Sequence, residues 1–433
     1  MSTFRAAGGI ESGSVHLVHF RFLKNRFLAD SSDEFMVETA PSVQRPFTVL
    51  RVVLESGERL PCLVESATWL PVRVGTRWAV RHRRYRVQSS TLVSNLRVLC
   101  RLYMWAKQTA DFDLDDFLTA GKVLDSRQVE SLASELRSNT DGSPADTGAF
   151  DHRLSVVEDF LRWSLDSSNR GGGHPLTIGR LSAERGRLHD IVRSLRIGGR
   201  PANRIQPLEE HQIKAIRLAI GPQGSSSADW TFPEAFAPRA RLRNWLMFEV
   251  ALELGIRRGE LLKLRLDSLP RGANDGVLIL RRPDDPNDSR PHEPAVKTAE
   301  RAIPASRTLL SAIRAYLTYP PPLGRVSGKG PYLFVARSGE PISSDRADDV
   351  IVAIGRHSGV APLSWHRLRH TWAETMAEVL SGQPNGMDRL VYLGGWKSPS
   401  SASRYIQRAL AKQASASVRE YQRKLYDLES RSE

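Results

Sequence analysis

Two stretches in the second half of the chain carry charged side chains at spacings that suggest a shared site. The stretch LGIRRGELLKL contains Arg257 and Glu260, three residues apart, which would share one face of a helix. The stretch VKTAERAIP contains Lys297, which is predicted to open the second strand of a hairpin. Taken alone, the first two could form a surface ion pair, and Lys297 could be a solvated side chain.

Two further stretches add histidine, tryptophan and tyrosine to this set. In SWHRLRHTW, His366 and Arg369 fall on one helical face, and His370 follows directly. In YLGGWKSPSSASRYIQ, Tyr405 comes nine residues after Trp396, where a helix is predicted to begin. An isolated tyrosine is most often a core aromatic, so the interpretation of Tyr405 depends on the other stretches.

Together, these side-chain types fit attack on a phosphodiester without a metal ion. Charge spreads over the phosphate oxygens in the transition state, so the site must gather positive donors, and arginine offers a planar fork that matches two oxygens. A tyrosine phenol can form a reversible ester with phosphate. A hairpin lysine can protonate the departing sugar oxygen, and histidine can move protons at neutral pH.

The order and spacing of these residues resemble the tyrosine recombinase family, which includes the phage integrases and the Xer-type enzymes. The family pattern is an arginine in G-[LI]-R-x-x-E-L, a hairpin lysine, H-x-x-R, a His or Trp, and then Tyr. GIRRGEL supplies Arg257, and HRLRHTW supplies His366 and Arg369. LGGW places Trp396 where many members have histidine, and Tyr405 follows at the family's interval.

The resemblance implies a role for each residue of the pattern. Tyr405 is the nucleophile, which forms a 3′-phosphotyrosine and frees a 5′-hydroxyl. Arg257 and Arg369 bind the scissile phosphate. Lys297 is the general acid for the leaving oxygen, and His366 either accepts the tyrosine proton or orients the tyrosine.

Three supporting roles follow from the same resemblance, which covers roughly residues 204 to 410. Trp396 packs against the site and can donate its indole N–H to a phosphate oxygen. Glu260 orients the arginine segment, and His370 is interpreted as a structural partner within its helix. Because the covalent ester conserves bond energy, no cofactor, ATP or metal ion is expected.

Composition points to a polyanionic partner. The 433-residue chain has 62 Lys and Arg against 48 Asp and Glu, a formal net charge of +14, which attracts nucleic acid over a long range. We therefore expect double-stranded DNA as the partner. A merely basic soluble protein is the plainer alternative.

Other features of the sequence exclude several classes of protein. The two cysteines, Cys62 and Cys100, cannot build a disulfide framework, which favours a reducing compartment. No CxxC, HExxH or Walker sequence is present. No stretch reaches the roughly 20 apolar residues of a membrane span, and no signal peptide is apparent. The expected location is the cytoplasm, with association to the nucleoid when DNA is bound.

The patterns predict a mainly α fold with a small antiparallel β-sheet. Residues 1–80 are strand-biased, with a hairpin in PFTVLRVVLESGERLPCLV, and form an extension of unclear role. Residues 81–200 are predicted to be a helical core-binding domain. Residues 204–433 are predicted to be the α-rich catalytic domain with a C-terminal helix. The resemblance implies that the last two domains close a clamp around duplex DNA.

Two segments outside the catalytic pattern leave alternatives open. RHRRYR contributes Arg81, Arg83, Arg84 and Arg86, which could form a phosphate-binding patch or a solvated turn. The amphipathic C-terminal segment could dock onto a neighbouring protomer, as in a family synapse of four subunits, or cap its own domain. A homotetramer on paired DNA sites, with a monomer free in solution, is the expected assembly.

The sequence thus predicts a site-specific DNA recombinase of the integrase, transposon recombinase or resolvase type. One alternative is a type IB topoisomerase-like or telomere-resolving enzyme, which uses similar residues in a different assembly. Another is a DNA-binding protein that kept the fold without the activity.

Overall fold

A computed structural model describes residues 45–429 apart from 56–57, 171–177, 197–204, 225–229, 271–275, 283–284, 286, 291–292, 320–323 and 327–329. The start of the predicted N-terminal extension and the boundary near residue 200 between the two predicted helical domains lie outside the described residues. The chain divides into two compact units, Met1–Arg200 and Pro201–Glu433, here called the amino-terminal and carboxy-terminal units.

The amino-terminal unit combines one β-hairpin with helices. Strands β1 (Phe47–Val53) and β2 (Arg59–Glu65) pair antiparallel, with Phe47 opposite Glu65 and Val53 opposite Arg59. The elements that follow are α1 (Arg73–Trp78), a π-helical turn (Ala79–Arg83), α2 (Ser89–Gln108), α3 (Leu114–Thr119), α4 (Ser126–Leu136), α5 (Thr147–Arg170) and α6 (Ile178–Leu195).

One core joins the hairpin to these helices. Leu96 and Leu99 of α2 are fully buried and lie three residues apart, on one face of the helix. They share a single cluster with Leu63 of β2, Trp78 of α1 and Phe160 of α5. The hairpin therefore packs as part of the helical unit.

The carboxy-terminal unit is also mostly helical. Its elements are α7 (Glu210–Ile220), α8 (Pro238–Leu254), α9 (Arg258–Lys263), a 3₁₀ turn (Leu266–Ser268), β3 (Val277–Ile279), β4 (Arg301–Ile303), α10 (Arg307–Thr318), α11 (Ser344–Ser358), α12 (Trp365–Leu380), α13 (Gly386–Gly394) and α14 (Ser400–Glu429). The mainly α class with small antiparallel sheets is confirmed. Among the helices in the described part of the chain, none combines the length and apolar character that crossing a membrane needs.

Helix α8 lies at the centre of this unit. Leu246, Phe248 and Val250 fall on different faces of the helix, yet all three are fully buried, as expected for a helix surrounded by other elements. Strands β3 and β4 form a two-stranded antiparallel sheet with Ile279 opposite Arg301. The start of α14 is anchored by Tyr405, which packs in a small cluster with residues of α12 and α13.

A contact outside the helix precedes the start of α7. Pro207 lies ahead of this helix, which begins at Glu210. The backbone N–H of Leu208 donates to the hydroxyl of Thr371 on α12 at 2.8 Å, and Leu208 is buried in the core of the unit. This tertiary contact keeps residues 207–209 extended ahead of the helix.

Candidate active site

Arg257 lies at the sharp junction between α8 and α9. Gly255 ends α8 with a φ of 60°, and a Cβ there would lie 2.0 Å from the Trp372 ring, so the turn requires glycine. Arg257 is extended (φ −75°, ψ 155°), and its backbone N–H donates to Oε2 of Glu260 at 2.7 Å. The expectation that Arg257 and Glu260 share a helix face is therefore wrong, because Arg257 precedes α9 and Glu260 caps it.

Glu260 is the buried anion of the site, with 1% of its surface exposed. Arg301 binds both carboxylate oxygens, with Nη1–Oε1 at 3.0 Å and Nη2–Oε2 at 3.2 Å, and the Thr298 hydroxyl donates to Oε1. Burial raises the pKa of Glu260, but the hydrogen bonds and charge of Arg301 outweigh it, so the pKa lies below its ordinary value. Glu260 therefore stays ionised beneath the arginines.

Arg369 on α12 is held from three sides. Its Nη1 donates to the carbonyl of Gly255 at 2.7 Å, and its Nη2 donates to the carbonyl of Gly394 at 2.5 Å. The guanidinium carbon lies 4.9 Å from the centre of the Trp396 ring, a cation–π distance. Burial, followed by repulsion from Arg257, lowers the pKa of Arg369 to about 9, which still leaves it charged at neutral pH.

Arg257, Arg369 and the phenol of Tyr405 interact electrostatically. The charge of Arg257 lowers the pKa of Arg369, while Glu260 and Tyr405 act on both arginines in the opposite direction. Burial is the main cause that lowers the pKa of Arg257, and Arg301 adds to it. Arg257 and Arg369, which are distant in sequence, also meet at one carboxylate oxygen: the backbone N–H of Arg257 lies 2.7 Å and Nη1 of Arg369 lies 4.0 Å from Oε2 of Glu260.

Tyr405 lies on the first turns of α14 and is 3% exposed. Its Oη lies 3.0 Å from Nδ1 of His370 and accepts a hydrogen bond from Nη2 of Arg404 at 2.9 Å. The Tyr405 ring lies 5.7 Å from the Trp396 ring. His366 does not contact the phenol directly; its Nε2 lies 3.0 Å from Nε2 of His370.

Lys297 is exposed and lies before β4 rather than on it. The expectation that it opens the strand is wrong, because β4 begins at Arg301. The residues between Lys297 and β4 form hydrogen bonds with the site instead. The Thr298 hydroxyl donates to Glu260, and the N–H of Ala299 donates to the carbonyl of Gly395 at 3.2 Å. No hydrogen bond or ion pair joins Lys297 to Tyr405 within the described residues.

The segment that leads to Lys297 is fixed to the body of the unit by buried charges. Lys263 at the end of α9 forms an ion pair with Glu293, and these side chains are 4% and 3% exposed. A Cβ on Gly259 of α9 would lie 2.6 Å from the carbonyl oxygen of Ala295. Helix α9, which follows Arg257, therefore contacts the chain at Ala295, two residues before Lys297.

A second buried ion pair fixes the insertion between β3 and β4. Arg290 and Asp288 are 2% and 0% exposed and meet at 2.6 Å. Arg290 also donates to the carbonyl of Leu262 at 2.9 Å and lies over the Tyr332 ring at 4.5 Å. A segment that composition alone describes as an irregular loop is thus bound into the core.

The basic run of the amino-terminal unit is partly satisfied within that unit. Arg84 donates twice to the carboxylate of Glu58, at 2.8 and 2.6 Å, and Arg83 lies 3.6 Å from Asp159. Arg81 and Arg86 are exposed. The prediction of a phosphate-binding patch therefore rests most directly on these last two residues.

Sequence reasoning missed two residues of the site, Arg301 and Arg404. The sequence did contain a signal for Arg301. In the short strand RAI, the arginine lies two residues before a buried isoleucine, so both side chains face inward. A buried arginine needs a nearby anion. Arg404 gave no such signal, because an arginine next to a tyrosine on a helix is ordinary. Among the described residues, no group of three or more His, Cys, Asp or Glu could hold a metal ion.

Comparison with known proteins identifies the family of this region. Residues 230–412 match the model described as the phage integrase family, a range that includes every residue assigned a catalytic role from the sequence. The predicted resemblance to tyrosine recombinases is thereby confirmed for this part of the chain. A comparison with curated proteins finds no match.

Several solved structures are similar at low identity. The XerH site-specific recombinase bound to its palindromic difH substrate is 14% identical with a TM-score of 0.49, over 80% of this chain and 84% of that chain. Lambda integrase bound to DNA is 14% identical with a TM-score of 0.45, over 77% and 93%. XerA recombinase is 15% identical with a TM-score of 0.35, over 79% and 97%. Because these likenesses are distant, the resemblance rests on the family model that matches residues 230–412.

Proposed function

We propose that this chain, whose residues 230–412 belong to the phage integrase family, is a site-specific DNA recombinase that cleaves and rejoins DNA through a 3′-phosphotyrosine. The single observation that carries the proposal is that Arg257 and Arg369 meet at Glu260, while the Trp396 ring lies next to both Arg369 and Tyr405. A core tyrosine has no need of a histidine and an arginine at its hydroxyl.

The two arginines supply the positive charge that phosphate chemistry requires. Arg369 is buried and Arg257 is half-buried, and donors that are held in place before DNA arrives cost little reorganisation. Arg369 is fixed by two backbone carbonyls and the Trp396 ring. Repulsion between Arg257 and Arg369 is relieved when a phosphate lies between them, which favours binding of an anion there.

In the proposed displacement, Tyr405 supplies the attacking phenol oxygen and Lys297 supplies the proton for the leaving oxygen. The Oη of Tyr405 attacks phosphorus, and the bond from phosphorus to the 5′ oxygen breaks. A positive charge from Arg404 at 2.9 Å stabilises the developing phenolate. Lys297, which is exposed, reaches the leaving oxygen and protonates it. The phosphotyrosine keeps the energy of the broken bond, so rejoining requires neither ATP nor a metal ion.

Duplex DNA and a second protomer are the proposed partners. The net charge of +14 favours a polyanion. Helix α14 contacts α12 through the ion pairs Arg408–Glu374 and Lys412–Glu378. Further along, Val418 and Tyr421 are 52% and 63% exposed. An apolar stripe of this kind supports docking of α14 onto a neighbouring protomer, as in a tetramer on paired sites.

A covalent trapping experiment tests the proposal. Duplexes that bind the protein are first selected from a random-sequence library and then nicked next to the cleavage point, so that the 5′-hydroxyl fragment diffuses away. The protein should become attached to DNA at Tyr405, as shown by peptide mapping. Failure of the selected, nicked duplexes to form any adduct would support a DNA-binding protein without activity.

The products then separate the enzymatic alternatives. Exchange of strands between two paired duplexes supports a recombinase. Relaxation of supercoiled DNA by single protomers without exchange would indicate a type IB topoisomerase-like enzyme, and hairpin ends would indicate a telomere-resolving one.

A further inference from the structure

We propose that His370 takes the proton of Tyr405 and passes its own second proton to His366, so that the two histidines form a relay. The inference rests on the proposed function, since it assigns a catalytic part to a residue interpreted from the sequence as structural. It also changes the part of His366, from direct acceptor to the end of the relay.

The geometry places His370 between the phenol and His366. Nδ1 of His370 lies 3.0 Å from the Tyr405 Oη, and Nε2 lies 3.0 Å from Nε2 of His366. Both histidines lie on α12, four residues and about one helical turn apart. The imidazole rings are perpendicular, with centres 4.5 Å apart. His370 is buried and His366 is exposed, so the path runs from the core to solvent.

The hydrogen bonds determine which atoms of Tyr405, His370 and His366 carry protons before the reaction. Arg404 donates to the phenol oxygen, which leaves the phenol O–H free to donate to Nδ1 of His370. A neutral His370 then carries its proton on Nε2 and donates it to His366. His366 accepts at Nε2 and holds its own proton on Nδ1. Each of the two contacts in the row, Tyr405 to His370 and His370 to His366, then joins one donor to one acceptor before reaction begins.

The chemical step follows from this arrangement. As the Tyr405 Oη attacks phosphorus, its proton moves to Nδ1 of His370 and the Nε2 proton of His370 moves to Nε2 of His366. The Oη–phosphorus bond forms, the bond to the 5′ oxygen breaks, and Lys297 gives that oxygen a proton. His370 ends neutral in its other tautomer. His366 ends as an imidazolium at the surface, where it returns the proton to water.

The charges around His366 and His370 disfavour a proton that stays on His370 and favour its transfer to His366. Burial, followed by the charge of His366, lowers the pKa of His370 to about 4. Burial also lowers the pKa of His366. The other charged groups that lower the pKa of one or both histidines are Arg257, Arg369, Arg404 and Arg408. A proton that stopped on His370 would be unstable there, whereas exposed His366 can release it.

His370→Asn is the discriminating variant. The Asn side chain can place an amide atom near the former Nδ1 and keep a hydrogen bond to Tyr405, but it cannot accept a proton. We expect single-turnover adduct formation at neutral pH to fall by roughly 100-fold, the lower end for loss of a general base. The deficit should shrink as pH rises, because hydroxide then removes the phenol proton. A wild-type rate in His370→Asn would overturn the relay and leave His370 with an orienting role.

A double variant tests whether the two histidines act as a unit. Members of a relay give non-additive effects, so His366→Gln combined with His370→Asn should be no slower than His370→Asn alone. Multiplying effects would show that the histidines act independently, which contradicts the relay. His211→Asn, on the exposed surface of α7, is the matched control and should retain the wild-type rate.

Two further measurements distinguish a variant that has lost the relay from one that has lost its fold. Melting temperature and DNA affinity of each variant report on folding. If His370→Asn is unstable, His370→Ala with added imidazole decides: recovery of the rate supports the relay, and no recovery in a folded protein contradicts it. If the wild-type protein forms no adduct at all, the proposed function fails, and not the relay.

Discussion

Arg301 and Glu260 form a two-point ion pair that lies inside the carboxy-terminal unit, with side chains 0% and 1% exposed. Arg301 also donates to the carbonyl of Leu393 at 2.7 Å, so it joins β4 to the segment before Trp396. Glu260 in turn holds the N–H of Arg257 and lies 4.0 Å from Arg369. The pair thus connects three separate stretches of the site.

Removing Arg301 should destabilise the protein more than removing both partners. Arg301→Met leaves Glu260 buried without its two-point partner, with Arg257 and Arg369 as the remaining counter-charges, and we expect a loss of about 3–5 kcal/mol in the free energy of unfolding. Adding Glu260→Gln should recover part of that loss. Denaturant unfolding of the four proteins measures the coupling, and simple addition of the two single losses would show that there is none.

An exposed arginine provides the control for this cycle. Arg346 and Asp349 form an ion pair at 3.6 Å with side chains 65% and 69% exposed. Exposed pairs of this kind contribute about 0–1 kcal/mol, so Arg346→Met should leave the free energy of unfolding almost unchanged.

Tyr405→Phe should separate chemistry from binding. The ring still packs against Trp396 and the α12 side chains, but no oxygen remains to attack phosphorus. We expect covalent attachment to DNA to disappear while affinity stays within about threefold, since phosphate contacts supply most of the binding energy. Gel analysis of adducts and equilibrium binding at two salt concentrations measure both, and an adduct that persists would remove Tyr405 from its role.

Lys297→Ala should be rescued by a better leaving group. If Lys297 protonates the 5′ oxygen, its loss should slow cleavage by about 10²- to 10⁴-fold. Replacing that oxygen with sulfur gives a thiolate of much lower basicity, which departs without an acid. The variant should then cleave the sulfur-containing duplex at close to the wild-type rate, and a rate that stays low would assign the acid to another residue.

Glu293→Gln should mimic the loss of Lys297 in milder form. Breaking the buried pair with Lys263 frees the segment that leads to Lys297, so cleavage should slow and the sulfur-containing duplex should restore it. The same change leaves Lys263 charged and buried, which we expect to cost about 3–5 kcal/mol. Glu378→Gln, in the exposed pair with Lys412, should change neither the stability nor the rate.

The two site histidines should titrate below the ordinary range in the protein without DNA. The pKa of His370 lies at about 4 and that of His366 below 6.5. A lowered pKa keeps the neutral, proton-accepting form as pH falls, so neither ring should gain charge between pH 8 and 7. Histidine ring proton NMR, assigned by comparison with His370→Asn, measures this, and titration of His370 near pH 6.5 would contradict it.

Much of the fold was predictable because local patterns and tertiary packing agree. The leucines of α2 recur at helical spacing and are buried on that face, and β1 and β2 pair as the antiparallel hairpin that their sequence predicted. Helix boundaries were less predictable. The start of α7 depends on the contact of Leu208 with Thr371, which lies far away in sequence.

The sequence by itself grouped Arg257, His366, Arg369 and Tyr405 into one candidate site, because their order and spacing fit one chemistry, but it did not point to Arg404. Only the tertiary structure decided which of them meet. Arg257 leaves its helix because Gly255 turns into a left-handed conformation against Trp372, and Tyr405 meets His370 rather than His366. Hydrogen bonds depend on distances of a few tenths of an ångström, and those are set by the packing of whole helices, which spacing along the chain does not encode.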